Sequence, residues 1–351
     1  MTLPDTPPPS ALLQALLQLT AGDDSLSENQ AEAVLTEIMV GGAPPDVVGA
    51  FLLALRARGE TAAEIAGGVR ALRATMLVVP CLKRDHLVDT CGTGGGTTRT
   101  LNLSTAAAFV AAGAGVSVAK HGNRSFTSRS GSADVLEALG ISLELSAEQS
   151  AELLDAVGLA FLFAPTFHPA MRHVASIRRE LGVATLMNLV GPLANPAGAV
   201  RQVVGVADRM LAPTMAAALA RLDAPHALVV HADIGMDEIS PVGATSVWEV
   251  RGRSVTEWTM EPAAFGLATP TLAGLEGGEP AENAARIESL LRDPSAAPPA
   301  LRAAVLLNAA AAVYVSGAEH DWESAAAAAT SALHGGAAAD RLDTLRRLAR
   351  R

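Results

Sequence analysis

Between Asp89 and Asp134 the chain twice runs from a short apolar stretch through a loop into a helix, and this repetition restricts the fold more than any other feature. The first pass is His86-Leu87-Val88-Asp89-Thr90, then Gly92-Thr93-Gly94-Gly95-Gly96, then Asn102-Leu103-Ser104-Thr105 opening an alanine-rich helical run from Ala106 to Ala114. The second is Val116-Ser117-Val118-Ala119, then Lys120-His121-Gly122-Asn123-Arg124 and a loop of Ser, Thr, Arg and Gly, with a helix beginning near Ser132. Alternation of strand and helix implies a mostly parallel sheet.

Such loops also collect anions. Glycine admits positive φ and lets backbone N–H groups converge, while a helix start adds unsatisfied donors and the positive end of its dipole. Ser104 and Thr105 are of the N-cap type. A glycine loop alone is equally well explained as a tight turn. The hydroxyl and basic groups of the second loop, Lys120, Arg124, Ser125, Ser128 and Arg129, shift the reading to anion binding. Two such sites in succession suggest a ligand with two phosphate-bearing ends. The loops match neither a P-loop, since Thr97-Thr98-Arg99 follows the last glycine, nor the dinucleotide fingerprint G-x-G-x-x-G opening a helix.

A chain of 351 residues is long enough for a large core and more than one domain. With 50% hydrophobic residues and only 3% aromatic, that core must be built from Ala, Leu and Val, which suits helices packed closely on a sheet. A net charge of −10 argues against non-specific nucleic-acid binding, so an anionic substrate has to be held by local basic groups. Cys81 and Cys91 lack the partners of a zinc site and read as a reduced cytosolic pair. Met1 to Pro9 reads as a frayed terminus with no export signal, and the apolar run from Ala303 to Val315, interrupted by Asn308, falls short of a membrane span. A cytoplasmic protein is expected.

From Ser10 to about Thr75 the pattern is wholly helical: Ser27-Glu28-Asn29-Gln30 begins a helix through Val40, Pro44-Pro45-Asp46 one through Arg58, and Thr61-Ala62-Ala63-Glu64 has capping-box spacing. Exposed apolar positions on so small a lobe, Phe51, Leu52, Leu53 and Leu55 among them, would want a partner surface unless they pack within it. Ile141 to Leu145 and Leu159 to Phe163 read as strands around a helix from Ala147 to Val157, and Ala170 to Leu181 as a helix. Spacing alone makes Arg178 on that helix a solvated residue. Arg201 to Val206 and His226 to His231 are the next strands, around a helix from Leu211 to Leu222. The latter strand runs into Asp237-Glu238. Adjacent carboxylates there are an ordinary charged turn or the hard oxygen ligands that magnesium takes alongside substrate phosphates; two phosphate loops upstream favour magnesium. From Ser246 onward a short β segment around Val247 to Trp258 and alanine-rich helices follow, with no site recognised.

Several of these segments together resemble the anthranilate phosphoribosyltransferase family: Asp89-Thr90-Cys91-Gly92-Thr93-Gly94-Gly95, Asn102-Leu103-Ser104-Thr105, Val118 to Arg124, Gly131 to Gly140, Arg178-Arg179-Glu180-Leu181-Gly182, Asn188 to Pro196, and Gly235 to Ser240. The resemblance implies an α/β fold of the nucleoside phosphorylase and phosphoribosyltransferase kind, a mostly parallel central sheet flanked by helices, with a smaller all-helical lobe. It divides the chain into a helical lobe over 1–76, an α/β phosphoribosyl-binding domain over 77–165 and 191–351, and helices over 166–190 returning to the lobe, which forms a homodimer interface. The implied reaction moves the phosphoribosyl group of phosphoribosyl pyrophosphate to the amine of anthranilate, in tryptophan biosynthesis, with Mg2+ and with no covalent nucleophile or required base.

By the same resemblance the donor substrate is held by Gly92, Gly95, Gly96, Thr100, Asn102, Leu103, Ser104, Thr105, Lys120, His121, Gly122, Asn123, Arg124, Ser125, Ser128 and Ser132. Anthranilate falls to Gly92, His121, Asn123 and Arg178, and the metal to Ser104, Asp237 and Glu238. One departure stands out: the family's glycine loop often ends in Asp where this chain has Gly96, and Thr97-Thr98 replace a small Gly-Ala pair. A pyrimidine nucleoside phosphorylase has a similar architecture, but its lysine-serine loop is not matched by Lys120-His121-Gly122-Asn123-Arg124. A catalytically silent paralogue is the other alternative, against which stand the acidic charge and the retained Arg178, Asp237 and Glu238.

Overall fold

The computed structural model describes residues 10–22, 25–81, 86–125 and 129–349. They form two compact units, one taking the chain up to Met76 together with His168–Ala194, the other Leu77–Phe167 and Asn195–Arg351.

The helical unit contains Ala11–Ala21, Glu28–Met39, Pro45–Arg58, Ala62–Thr75, Arg172–Leu181 and Leu186–Val190. Its helix starts follow from local chemistry. Ser27 with Gln30 and Thr61 with Glu64 each form a capping box, in which the hydroxyl and the third side chain satisfy one another's free N–H groups. Glu64 does more, since its buried carboxylate also accepts from Leu26 N–H at 2.8 Å and pairs with Arg58, tying three segments together. Phe51, Leu52 and Leu55 are fully buried inside this unit, so three of the four residues expected to seek an outside partner are core; Leu53 remains 43% exposed. Leu17 at 57% and Val40 at 68% are the more exposed apolar side chains.

The second unit is built on a seven-stranded sheet, β1 (Val88–Gly92), β2 (Val118–Gly122), β3 (Leu159–Phe163), β4 (Arg201–Gly205), β5 (His226–Ala232), β6 (Thr245–Arg251) and β7 (Ser254–Met260), in the order β3-β2-β1-β4-β5-β6-β7. From β3 to β5 the strands are parallel; β6 and β7 join antiparallel. Of the parallel strands β3 is a continuous apolar run, Leu159 to Phe163, and β5 is buried at all seven positions, as expected of strands covered on both faces. Two strand assignments needed correction. Residues 141–145 pair with no strand, and the single β segment expected over Val247 to Trp258 is the hairpin β6–β7.

The connection after β1 turns toward β2 and β3, and the one after β4 toward β5. The order therefore reverses between β1 and β4, the place where open α/β sheets leave a crevice at the carboxyl ends of their strands. Helix Leu103–Gly113 packs beside it, and its alanines let the 18-residue helix Pro299–Ser316 come close. That second helix is long and apolar enough to cross a membrane, contrary to expectation, but 83% of it is buried as core.

Candidate active site

At the switch point Gly92 pairs in register with Gly205, and Asp237 sits directly over them. A Cβ on Gly205 would overlap the Asp237 carbonyl oxygen, one on Gly92 would lie 3.4 Å from Asp237 Oδ2, and one on Gly96 would lie 2.8 Å from Oδ1. Gly92 and Gly96 thus border the Asp237 carboxylate, and Gly205 makes room for the backbone that carries it. Gly94 and Gly95 turn the loop with φ of 68° and 89°, a region that costs other residues energy. The loop is then fastened to the end of β4, where Thr93 N–H donates to Gly205 O at 2.9 Å, and to the acidic turn, where Thr97 N–H donates to Gly235 O at 3.1 Å and the Thr98 hydroxyl to Ile234 O at 2.7 Å.

Glu238 points the other way, into the start of helix Leu103–Gly113. Its Oε1 accepts the Ser104 N–H at 3.1 Å and its Oε2 the Thr100 hydroxyl at 3.0 Å. Burial first, and then the charge of Asp237, push the Glu238 carboxyl up to about 8, and burial raises Asp237 as well, against a backbone N–H from Gly94. Burial and mutual repulsion thus oppose ionisation of this pair, and a bound cation would favour the charged forms of both carboxyl groups. Among the described residues no group of three or more His, Cys, Asp or Glu is placed to hold a metal. A cation here would complete its shell with water or substrate oxygens, which is how magnesium binds beside phosphates. The donor set fits that ion.

Lys120 lies beneath the first loop. Only 3% exposed, its Nζ donates to Thr90 O at 2.5 Å and lies 3.2 Å from Ser104 Oγ. Burial lowers its pKa, opposed by Asp89, Cys91 and Glu238. Asp89 is fully buried on the same strand as Thr90, where it accepts from His121 N–H at 3.0 Å and Asn195 Nδ2 at 2.8 Å. Burial raises its carboxyl to about 6. Asn195 also donates to Ala119 O at 2.8 Å, so the ends of β1 and β2 are locked together and carry His121 and Gly122 with them.

A chain of amides holds the second loop. Asn102 Nδ2 donates to Ser130 O at 3.1 Å, Asn283 Nδ2 to Asn102 Oδ1 at 3.0 Å, and Gly278 N–H to Asn283 Oδ1 at 2.8 Å. Asn123 O accepts from Ala133 N–H and from the Ser132 hydroxyl, each at 3.3 Å. Arg124 is half exposed and pairs with Asp134 at 2.8 Å and Glu137 at 2.5 Å. Ser125 N–H lies 3.4 Å from Asp134 Oδ2, Leu103 and Thr105 are buried in the helix start, and Ser128 falls outside the described residues. The geometry brings Gly92, Gly96, Thr100, Ser104, Lys120, Asp237 and Glu238 into one cluster, with Asn102, Asn123, Ser125 and Ser132 around the adjoining loop.

Arg178 belongs to the helical unit, on Arg172–Leu181, one turn before Gly182 closes the helix at φ 64°. Burial lowers its pKa. Its Nη2 reaches only Asn188 Oδ1 at 3.5 Å, and among the described residues it makes no ion pair.

Residues 84–339 match the family described as "Glycosyl transferase family, a/b domain", and residues 13–76 its helical bundle domain. An anthranilate phosphoribosyltransferase of Rubrobacter xylanophilus is 48% identical over 342 residues, which covers 97% of this chain and 98% of the relative. The chain belongs to the anthranilate phosphoribosyltransferase family. The family's enzyme from Thermus thermophilus superposes with a TM-score of 0.90 at 41% identity, over 98% of this chain and all of that one. That of Saccharomyces cerevisiae, solved in complex with PRPP and Mg, gives 0.87 at 29% identity over 96% and 97% of the two chains.

Against that family's reaction, reading the sequence missed four residues that shape the cluster: Gly205, Asn195, Asn283 and Asn308. Asn308 had a visible signal, a lone polar residue inside an apolar helix.

Proposed function

We propose that the chain transfers the phosphoribosyl group of phosphoribosyl pyrophosphate to the amine of anthranilate, giving N-(5-phosphoribosyl)anthranilate and pyrophosphate in tryptophan biosynthesis, as a Mg2+-dependent cytoplasmic homodimer. The observation that carries this reading is the acidic pair itself, Asp237 set against the glycine loop and Glu238 against the start of helix Leu103–Gly113. Donors for phosphate oxygens and carboxylates for a cation share one floor.

The chemistry asks little covalent work of the protein. An arylamine is neutral at pH 7, so no strong base is needed, and departure of pyrophosphate builds negative charge on its oxygens. The backbone donors of the glycine loop, Gly92 to Gly95, stabilise that charge. Lys120 contributes a buried positive charge from below, through Thr90 and Ser104. Magnesium held by Asp237, Glu238 and Ser104 would neutralise the leaving group. Gly95, Thr100, Asn102, Leu103, Thr105, Gly122, Arg124, Ser125, Ser128 and Ser132 complete the donor site.

Arg178, a half-buried cation with no ion pair among the described residues, takes the anthranilate carboxylate with two parallel hydrogen bonds, and Gly92, His121 and Asn123 line the ring. In support of the dimer stand the exposed Leu17 and Val40 of the helical unit. Mass spectrometry of a mixture of protein, anthranilate, phosphoribosyl pyrophosphate and magnesium should reveal the phosphoribosylated amine together with pyrophosphate. Nucleoside cleavage by free phosphate, with no such product, would overturn the reading.

A further inference from the structure

The turn that carries Asp237 and Glu238 continues into Ile239-Ser240, and the backbone of Ile239 is gripped from a distant helix. Asn308, 5% exposed in the middle of Pro299–Ser316, accepts the Ile239 N–H with Oδ1 at 3.1 Å and donates Nδ2 to Ile239 O at 2.9 Å. Its second amide hydrogen goes to Ala304 O one turn back, at 2.9 Å. Two carbonyls and one N–H around the amide leave only one way to orient it. Asn308 therefore pairs with Ile239 as a neighbouring strand would, using side-chain atoms.

Around it the helix offers Ala309, Ala310, Ala311 and Ala312, none of which has a polar side-chain atom. A buried amide in such a run costs desolvation that leucine would not, and its three bonds offset that cost only while the turn stays where it is. Asn308 also lines the small cavity bordered by Ser104, Asp237 and Glu238. The opposite side of the turn is held by Thr97 and Thr98 on Gly235 and Ile234. Beyond Ile239 the next side chain on this backbone is Thr245, whose Oγ1 accepts the Ser240 N–H at 3.2 Å, so without Asn308 the residue directly after Glu238 would lose its side-chain bonds and both carboxylates their aim.

We propose that Asn308 is the positioning residue of the carboxylate pair: by fixing Ile239 it sets the distance and direction of Asp237 and Glu238 toward a divalent cation. This rests on the reading of those two residues as metal ligands. Removing groups that orient metal ligands weakens metal affinity by roughly 10- to 100-fold, and that is the range expected here.

The probe is Mn2+ binding in the presence of phosphoribosyl pyrophosphate, followed by electron paramagnetic resonance, with urea unfolding measured alongside. Asn308→Leu keeps the branched shape and the number of heavy atoms and removes all three bonds; it should bind Mn2+ roughly 10- to 100-fold more weakly while the Michaelis constant for anthranilate stays within about twofold. Asn308→Ser, small enough to admit water, gives the same reading should the leucine variant not fold. Leu307→Ala, a cavity in the same helix, should lose stability and keep parental Mn2+ affinity. The Asp237→Asn, Glu238→Gln double variant separates the two ideas. If it binds Mn2+ like the parent, the metal reading itself is wrong. If it loses binding and both Asn308 variants do not, the metal reading stands and Asn308 is only a packing residue. If Leu307→Ala weakens Mn2+ binding as much as Asn308→Leu, the effect is one of general stability and the proposal is likewise overturned.

Discussion

Ser104 donates its backbone N–H to Glu238 Oε1 across 3.1 Å, which joins the first turn of the helix after the glycine loop to the acidic turn after β5. The bond means that a phosphate-type donor and a candidate metal ligand are adjacent parts of one structure. Replacing Asp237 with Asn and Glu238 with Gln keeps size and removes two charges. Turnover should fall by about 100-fold or more, about 3 kcal/mol of transition-state stabilisation, at saturating magnesium. Steady-state kinetics across a magnesium titration checks this; near-parental turnover would remove the pair from the mechanism.

Gly96 concerns the same carboxylate from the loop side. A Cβ there lies 2.8 Å from Asp237 Oδ1, the far end of a side chain that can yield a little, so the Asp that the family often carries at this position fits only with a shift of Asp237. Gly96→Asp should move the magnesium optimum while activity stays within roughly tenfold, about 1.4 kcal/mol. Complete loss of activity would show that the loop has no room for the exchange.

Asp89 predicts a pH effect of unusual sign. Burial raises its carboxyl to about 6 from 3.8, despite Lys120, Asn195 and the His121 N–H. The folded chain therefore holds the proton more tightly than the unfolded one. Its contribution to stability is complete below about pH 4 and is lost as pH rises through 6, by at most about 3 kcal/mol. Asp89→Asn should gain stability relative to the parent between pH 4.5 and 7 in urea unfolding. A difference between the two proteins that is flat across that range would contradict the assignment.

The glycine loops and the acidic pair were legible because their chemistry is local: glycines, caps and carboxylates announce themselves within a few residues. The amides that hold them were not, since Asn195 reaches back 106 positions to Asp89, Asn283 181 to Asn102, and Asn308 69 to Ile239. Residues 141–145 failed for another reason. Ile141, Leu143 and Leu145 alternate because they are buried on one side, not because they join a ladder, and Ser142 N–H lies 3.3 Å from Ala349 O. Arg178 spaced like a solvated residue and is half-buried instead.

That burial makes Arg178 a specificity test. Arg178→Ala should raise the Michaelis constant for anthranilate by roughly one to two orders of magnitude, the loss of about 1.5–3 kcal/mol expected for a charged hydrogen bond, with a smaller change for phosphoribosyl pyrophosphate. A rise confined to the donor constant would assign this guanidinium to phosphate.

The most direct measurement is the fluorescence of anthranilate in the presence of the purified chain. It should decay only when phosphoribosyl pyrophosphate and magnesium are both present, saturably in each, and the decay should nearly vanish in the Asp237→Asn, Glu238→Gln variant. Fluorescence that stays constant with every component at saturation, for a folded protein, would contradict the account.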